Sequence, residues 1–258
     1  MLRAGKIDES TYLKLEDCAT PTCGSCSFLG TENTMSCAAE GLGLCLSGSA
    51  TIPATLADRF RAARASGRQI VKLFEGGINA RKIINRKGIE SATRLSSAIG
   101  GSTNVALNMP AIGYEADFEV TMDIFEELCK GTPYIAKMNP AAAANVPDFH
   151  FAGGVPPVMK EILPLLHRDA LTVSGKTVSE NVADAVIHNS DIIRTMANPW
   201  AIGGGLAVLR GNLAPNTGIT KPAAIVPEMR TFSGKAQCFD SDELANQAII
   251  NGKVQGGR

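Results

Sequence analysis

Apolar residues along this chain recur mostly at spacings of three and four, the pattern of helices that bury one face. From Thr31 onward, Met35, Ala38, Ala39, Leu42, Cys45 and Leu46 share such a face, with Thr31 placed as N-cap and Gly48 beyond the end. A second helix is predicted to start at Pro53 and to bury Leu56, Phe60 and Ala63 before Gly67 stops it. Residues 68–99 continue in helical spacing, interrupted at Gly76-Gly77 and at Gly88. The run Gly100-Gly101-Ser102-Thr103-Asn104 then reads as a loop ahead of a helix that Pro110 ends or kinks. Met122, Phe125 and Cys129 mark a short helix, and Ala152-Gly153-Gly154-Val155-Pro156 is a glycine turn before an apolar run to Leu166. Leu171-Thr172-Val173 is expected as a short strand. Thr177 and Glu180 have the spacing of a capping box, in which each side chain satisfies a free backbone N–H, and Val182 and Val186 follow on the apolar face of that helix.

Past Asn198-Pro199 the helical spacing gives way to strand-like runs. Leu206-Ala207-Val208-Leu209 is rich in strand formers, residues 211–216 carry turn chemistry, and residues 218–226 resume an extended run that Pro222 places at an edge or bulge. A last strand over residues 235–239 is expected to feed a helix over residues 240–251. The change of pattern predicts a domain boundary near residue 200, dividing the chain into 1–199 and 200–258.

Composition narrows the function classes. With 258 residues and 45% hydrophobic content the chain can bury a substantial core. Twenty-five acidic residues balance twenty-five basic ones, so no net field draws the chain to nucleic acid or to an anionic membrane, and a small-molecule partner is the expectation. No apolar run approaches the ~18–20 residues needed to span a bilayer, and the start Met1-Leu2-Arg3-Ala4-Gly5-Lys6 lacks a secretory apolar stretch, so a cytoplasmic location is expected. Seven cysteines, an odd number without an export signal, read as thiols or ligands rather than a disulfide framework.

The stretch Thr22-Cys23-Gly24-Ser25-Cys26-Ser27, punctuated by Pro21, Gly24 and Gly30, lies in a loop just ahead of the helix at Thr31. Free N–H groups and the positive end of a helix dipole favour a thiolate there, suited to hold metal or to attack. Spacing alone leaves several readings open. A structural zinc site wants a second pair at similar spacing, which Cys37 and Cys45 do not supply. A thioredoxin-like redox pair wants a preceding strand, which the sequence does not predict. Two ordinary loop cysteines satisfy the spacing as well.

The longer text is more specific. The run from Cys23-Gly24-Ser25-Cys26-Ser27-Phe28-Leu29-Gly30 through Thr31-Glu32-Asn33-Thr34-Met35, with Ala39-Glu40-Gly41-Leu42-Gly43-Leu44 after it, resembles the dihydroxy-acid and sugar-acid dehydratase family. So, in the same order, do Ala98-Ile99-Gly100-Gly101-Ser102-Thr103-Asn104, then Phe151-Ala152-Gly153-Gly154-Val155, then Gly204-Gly205-Leu206-Ala207-Val208-Leu209-Arg210-Gly211-Asn212-Leu213-Ala214-Pro215. The resemblance covers essentially the whole chain. It implies an α/β fold, part of an N-terminal domain followed by the start of a β-barrel-like domain. It also implies an iron–sulfur cluster, 2Fe-2S or 4Fe-4S, held by three cysteines with one iron open as a Lewis acid, plus Mg2+ in the complete enzyme. Cys26 matches the third cluster ligand, and Cys23 does not match one.

By the same resemblance the two other ligand cysteines, one in a Cys-Asp-Lys run, fall upstream of Met1. The magnesium ligands and a catalytic serine base fall partly upstream and partly beyond Arg258. The chain is therefore expected to be an internal fragment, inactive alone, whose partners are the missing N- and C-terminal segments and, when complete, a second copy. The implied reaction is dehydration of a 2,3-dihydroxy acid to a 2-keto acid, with branched-chain amino-acid biosynthesis as first choice and an aldonic acid as alternative. Readings of another class are a non-catalytic subunit and a thiol redox module built on Cys23 and Cys26. Gly101, Ser102, Thr103 and Asn104 either present N–H and hydroxyl groups to a substrate carboxylate or bound ion, or form an ordinary capped turn. His150 either reaches the active site or is a hydrogen-bonded structural residue. His167 and His188 are placed at the surface, Glu40 on a solvated helix face, and the apolar face Met35/Leu42/Leu46 is expected to lack its cover.

Overall fold

The computed structural model describes residues 1–19 and 23–254, so Pro21 and Thr22 of the cysteine loop and the tail 255–258 lie outside the described residues. In chain order the helices are α1 (Glu9–Cys18), α2 (Thr31–Gly41), α3 (Ala57–Glu75), α4 (Ala80–Ile83), α5 (Arg86–Ala98), α6 (Val105–Glu115), α7 (Met122–Lys130), α8 (Val146–Phe151), α9 (Val155–Glu161), α10 (Val178–Val182) and α11 (Asp242–Ile250). Strands β1 (Ala207–Leu209) and β2 (Gly218–Thr220) pair antiparallel with Val208 opposite Ile219. The chain divides into two units, Gly24–Ile225 and a smaller one made of Met1–Cys23 with Val226–Arg258. In the smaller unit Asp8 caps α1 by accepting from Thr11 N at 2.7 Å, and Ser241 caps α11 through Leu244 N at 3.2 Å. Tyr12, Leu15, Ile249 and Ile250 line an apolar groove within it.

The larger unit is organised around α5, most of whose residues are buried. This helix is rich in small polar residues, which lets neighbours approach its backbone. Thr93 and Ser96 return their hydroxyls to the carbonyls of Ile89 and Ala92, each at 2.8 Å, so burial leaves those donors satisfied. Helix α2 packs closest: a Cβ at Gly41 would stand 3.0 Å from the Ala92 Cα. On one side of α5, Leu95, Ile99, Ile135, Phe149, Val155, Ile162 and Ile193 form a buried cluster. On the other, Leu42, Ile89, Val105, Met109, Phe125 and Leu206 form a second, against which Val208 and Ile219 of the strand pair lean.

The described residues are mainly helical with one small sheet, compatible with an α/β domain. The two strands past residue 200 match the change of pattern read there, and no barrel closes among the described residues. Helix ends depart from expectation in instructive ways. Helix α2 begins at Thr31 with Gly30 as N-cap and stops at Gly41, because Gly43 turns left-handed (φ 83°), so Cys45 and Leu46 lie beyond the helix. Helix α6 passes through Pro110 and ends at Glu115. Gly88 lies inside α5 rather than interrupting it. Leu171 makes only a single bridge to Thr177, since Gly175 (φ 79°) reverses the chain at once. Residues 235–239 form no strand, and α10 ends at Val182, leaving Val186 exposed. The expectation that Met35, Leu42 and Leu46 lack a cover is overturned for Leu42, which is buried in the second cluster; Met35 and Leu46 are half-buried. The Thr177–Glu180 capping box is present as read. No helix among the described residues is long and apolar enough to cross a membrane.

Helix α3 runs straight through Gly67 and leaves Phe60 78% exposed and Ala63 exposed, against the prediction that both are buried. A single glycine costs a helix only ~1 kcal/mol, too little to end one of 19 residues. Phe60, Ala63, Gly67, Ile70 and Phe74 follow one another at intervals of three and four, so an apolar stripe faces solvent. The double variant Phe60→Ser/Phe74→Ser is expected to bind less hydrophobic dye and to self-associate less than wild type in sedimentation. Unchanged dye binding and association would show that another surface is responsible.

Candidate functional site

The loop ahead of α2 is held by backbone contacts on both sides. Leu29 donates its N–H to the Asn139 carbonyl and Val146, the first residue of α8, donates to the Ser27 carbonyl, each at 2.8 Å. The Asn33 side-chain amide reaches back to the carbonyls of Cys26 (2.5 Å) and Phe28 (2.9 Å). Fixing the loop backbone in this way leaves the Cys26 side chain exposed.

The loop 100–104 is brought to the same place. Gly100 adopts φ 60° with the Tyr134 ring so close that a Cβ would come within 2.7 Å, which excludes any side chain. Gly101 is buried against Thr34, where a Cβ would meet the threonine methyl at 2.6 Å. The Thr34 hydroxyl donates to the Gly30 carbonyl at 2.6 Å and accepts from Ser102 N at 2.9 Å. Next to it, Thr31 Oγ1 lies 3.1 Å from Ser102 Oγ and accepts from Asn104 Nδ2 at 2.7 Å. Thr103 is half-buried and its carbonyl accepts from Ala106 N at 3.0 Å. The start of α2 and the start of α6 are thus joined by a cluster of hydroxyls and one amide, and the first N–H groups of α6, those of Val105, Ala106 and Leu107, are taken up by the carbonyls of Ser102, Thr103 and Asn104.

His150 stands apart from this cluster. Its Nδ1 lies 3.2 Å from Thr51 Oγ1, and its ring meets Phe151 edge-on. Partial burial, the largest influence, holds His150 below the usual histidine range; Asp58 opposes and Arg59 adds to the shift. The ring is a hydrogen-bonded partner of the 48–52 segment. Its link to Cys26 is indirect, through α8 and the Val146–Ser27 bond. His167 is half-buried with Nε2 2.7 Å from Glu90, and His188 is exposed.

Glu40 is the clearest correction. Instead of a solvated face it occupies a buried position, because the chain after α2 folds back over it. Its Oε1 accepts from Gly48 N at 2.6 Å and Oε2 from Ala50 N at 3.0 Å. Burial pushes its pKa up to about 7, with the two N–H groups opposing. Thr31, Asn33 and Thr34 are the contacts that the sequence reading did not assign. Their signal was a polar, short-side-chain first turn directly after a glycine.

A sulfur-bound metal cluster needs several soft donors. Cys26 fits as one: an exposed thiol on a braced loop. Cys37 and Cys129 are buried, with their thiols pushed up chiefly by burial, Cys129 to about 11, which makes them packing residues. All seven cysteines are free, and no group of three His, Cys, Asp or Glu side chains suited to a metal occurs among the described residues. No carboxylate hydrogen-bonds into the Thr31/Ser102/Asn104 junction among the described residues, so no magnesium ligand is assigned.

Residues 1–181 match the family described as dihydroxy-acid/6-phosphogluconate dehydratase N-terminal, and residues 191–258 match its C-terminal counterpart. The chain is 43% identical to a dihydroxy-acid dehydratase of Caldanaerobacter subterraneus subsp. tengcongensis, over 99% of this chain and 46% of the relative. The same identity and coverage hold for a dihydroxy-acid dehydratase of Acetivibrio thermocellus. A dihydroxy-acid dehydratase of Ignicoccus hospitalis is 41% identical over 100% of this chain and 47% of its own length. The chain spans about half the length of the curated relatives it matches.

Proposed function

Because the chain belongs to the dihydroxy-acid/6-phosphogluconate dehydratase family, we propose that it supplies part of a hydro-lyase site converting a 2,3-dihydroxy acid to a 2-keto acid. The observation that carries this reading is the junction of the α2 and α6 starts beside exposed Cys26. The N-terminus of α2 favours an anion, and the Thr31 and Ser102 hydroxyls and the Asn104 amide, hydrogen-bonded to one another, lie beside it as polar partners for a carboxylate. Gly101 keeps the two helix starts in contact, and Thr103 closes the first turn of α6. Cys26 is a thiolate ligand of an iron–sulfur cluster whose remaining ligands come from polypeptide outside these residues. When bound, that cluster supplies Lewis-acid chemistry toward the departing hydroxyl. The junction orients the acid so that its C3 hydroxyl faces Cys26, and no base for the C2 proton is assigned among the described residues. Mg2+ belongs to the complete enzyme, as do the homodimer and the cytoplasmic setting.

The relatives are named for a dihydroxy acid, and of the two classes the branched-chain dihydroxy acid is our first choice and an aldonic acid the alternative. The isolated 258-residue chain, reconstituted anaerobically with iron and sulfide, is expected to form no keto acid. Adding polypeptide that matches the remaining length of the relatives is expected to give turnover of 2,3-dihydroxyisovalerate, read as the keto acid. Keto acid from the chain alone overturns the division of ligands. Faster turnover of an aldonic acid overturns the substrate choice, and no turnover of either by the completed protein overturns the hydro-lyase reading.

A further inference from the structure

Helix α3 runs for 19 residues, yet Leu73 is its one buried residue. A helix in water is held chiefly by the packing of its apolar face, and here that face is turned to solvent. Phe74 is 85% exposed, and Phe60, Ile70 and Val71 are exposed with it. The face is nearly palindromic about Gly67: Phe60 and Phe74 stand seven residues to either side, Ala63 and Val71 four. Gly67 lies mid-helix with open space where a Cβ would stand. Glycine weakens a helix, and no contact within the chain requires it there. Beside the stripe, Leu44, Leu46, Ile70, Leu73 and Val173 line a groove that extends the apolar surface.

We propose that this face docks a second copy of the chain, with the two α3 helices packed antiparallel across a two-fold axis at Gly67. A two-fold contact joins the same patch of both copies, so the patch must complement itself. A face made for a different polypeptide has no need of that symmetry. Reversed about Gly67, one helix lays Phe60 level with the partner's Phe74, and by symmetry Phe74 level with the partner's Phe60. Ala63 falls beside the partner's Ile70, small against large, and the absent side chain at the centre lets the two backbones approach. Charge selects the direction. Arg59, Arg61, Arg64 and Arg68 crowd the first two-thirds of α3, and Glu75 is its last residue. A parallel pair would lay those arginines side by side. The antiparallel pair instead carries Arg64, whose side chain leans toward its own N-terminus, to the partner's Glu75 and the negative end of that helix dipole. Arg64 and Glu75 are exposed, and neither has an ion-pair partner among the described residues. The two phenylalanines alone cover on the order of 300 Å² per copy, a large share of the ~800 Å² per partner of a specific interface. None of this rests on the dehydratase reading.

Sedimentation equilibrium of the whole chain over a concentration series reads the association, with thermal unfolding of dilute protein beside it. Wild type is expected to pass from monomer to dimer and to stop there, because a two-fold contact uses up the face. Gly67→Gln is expected to unfold at a higher temperature when dilute, since glycine is the poorer helix former. The same variant is expected to dimerise roughly tenfold more weakly or worse, since two side chains then meet at the crossing. Arg64→Glu and Glu75→Arg are each expected to weaken the dimer several-fold, and the double variant to regain most of the wild-type affinity. Association that Gly67→Gln leaves unchanged, growth past the dimer, or charge reversals that fail to rescue one another overturn the proposal. A chain that stays monomeric at every concentration overturns it as well. Hydrophobic dye displaced from such a monomer only by polypeptide matching the remaining length of the relatives would give the face to that polypeptide.

Discussion

Cys26→Ser, made in the completed enzyme, is expected to remove cluster iron and sulfide almost entirely, while Cys23→Ser leaves most of both in place. A cluster held by three thiolates with one iron open has no spare ligand, and a serine hydroxyl is a much poorer donor to iron. Loss of a group that merely orients a ligand already costs ~10–100-fold in metal affinity, so loss of a ligand itself is expected to exceed that. The structure gives the substitution a local character: the loop is held by its carbonyls through Asn33 and Val146, contacts that serine preserves. Iron and acid-labile sulfide content with visible absorbance, measured for the two single variants beside wild type, reads the outcome. Equal cluster content in Cys26→Ser and wild type removes the ligand assignment. Comparable loss in both variants, with a disulfide in wild type that titrates against thiol buffers, points instead to the redox pair.

Gly205→Ala is expected to destabilise the chain by ~3 kcal/mol or more, at the upper end of what overpacking a tight contact costs. Gly205 lies directly on Gly100: its N–H donates to the Ser97 carbonyl at 2.9 Å, and a Cβ would come within 2.9 Å of the Gly100 nitrogen and 3.0 Å of the Ser97 carbonyl oxygen. Backbone on both sides leaves nothing that rotates aside. Two residues earlier, Gly203 has open space where its Cβ would stand, so Gly203→Ala is expected to change stability by less than ~0.5 kcal/mol. Urea unfolding of the two variants compares them directly. Near-equal midpoints would mean that the contact between the 97–101 and 203–206 segments is looser than the structure has it.

These glycines illustrate how much of the site was legible. The runs Gly100-Gly101-Ser102-Thr103-Asn104 and Gly204-Gly205-Leu206 stand out in the sequence as turns, and the loop before α2 stands out for its cysteines. That the first run packs on Thr34 and the second on the backbone of Gly100 is invisible there, because both contacts join residues about 70 to 100 positions apart in the sequence. His150 was legible only as a choice between site and scaffold. Its hydrogen-bond partner Thr51, 99 positions away, is visible only in the fold.

Local chemistry determined what local chemistry can. The spacing of three and four residues between apolar positions, the Thr177–Glu180 capping box and the switch to strand formers past residue 200 reflect interactions within a turn or two of chain. Each reappears as α2, α10 and the β1–β2 pair. The same pattern could not say which faces find a cover. Phe60 and Glu40 each fit the face predicted for them, and the fold inverts both, exposing the phenylalanine and burying the acid. Burial depends on what the rest of the chain places opposite a residue, and that is decided only when α2, α5 and the returning 48–52 strap close around one another.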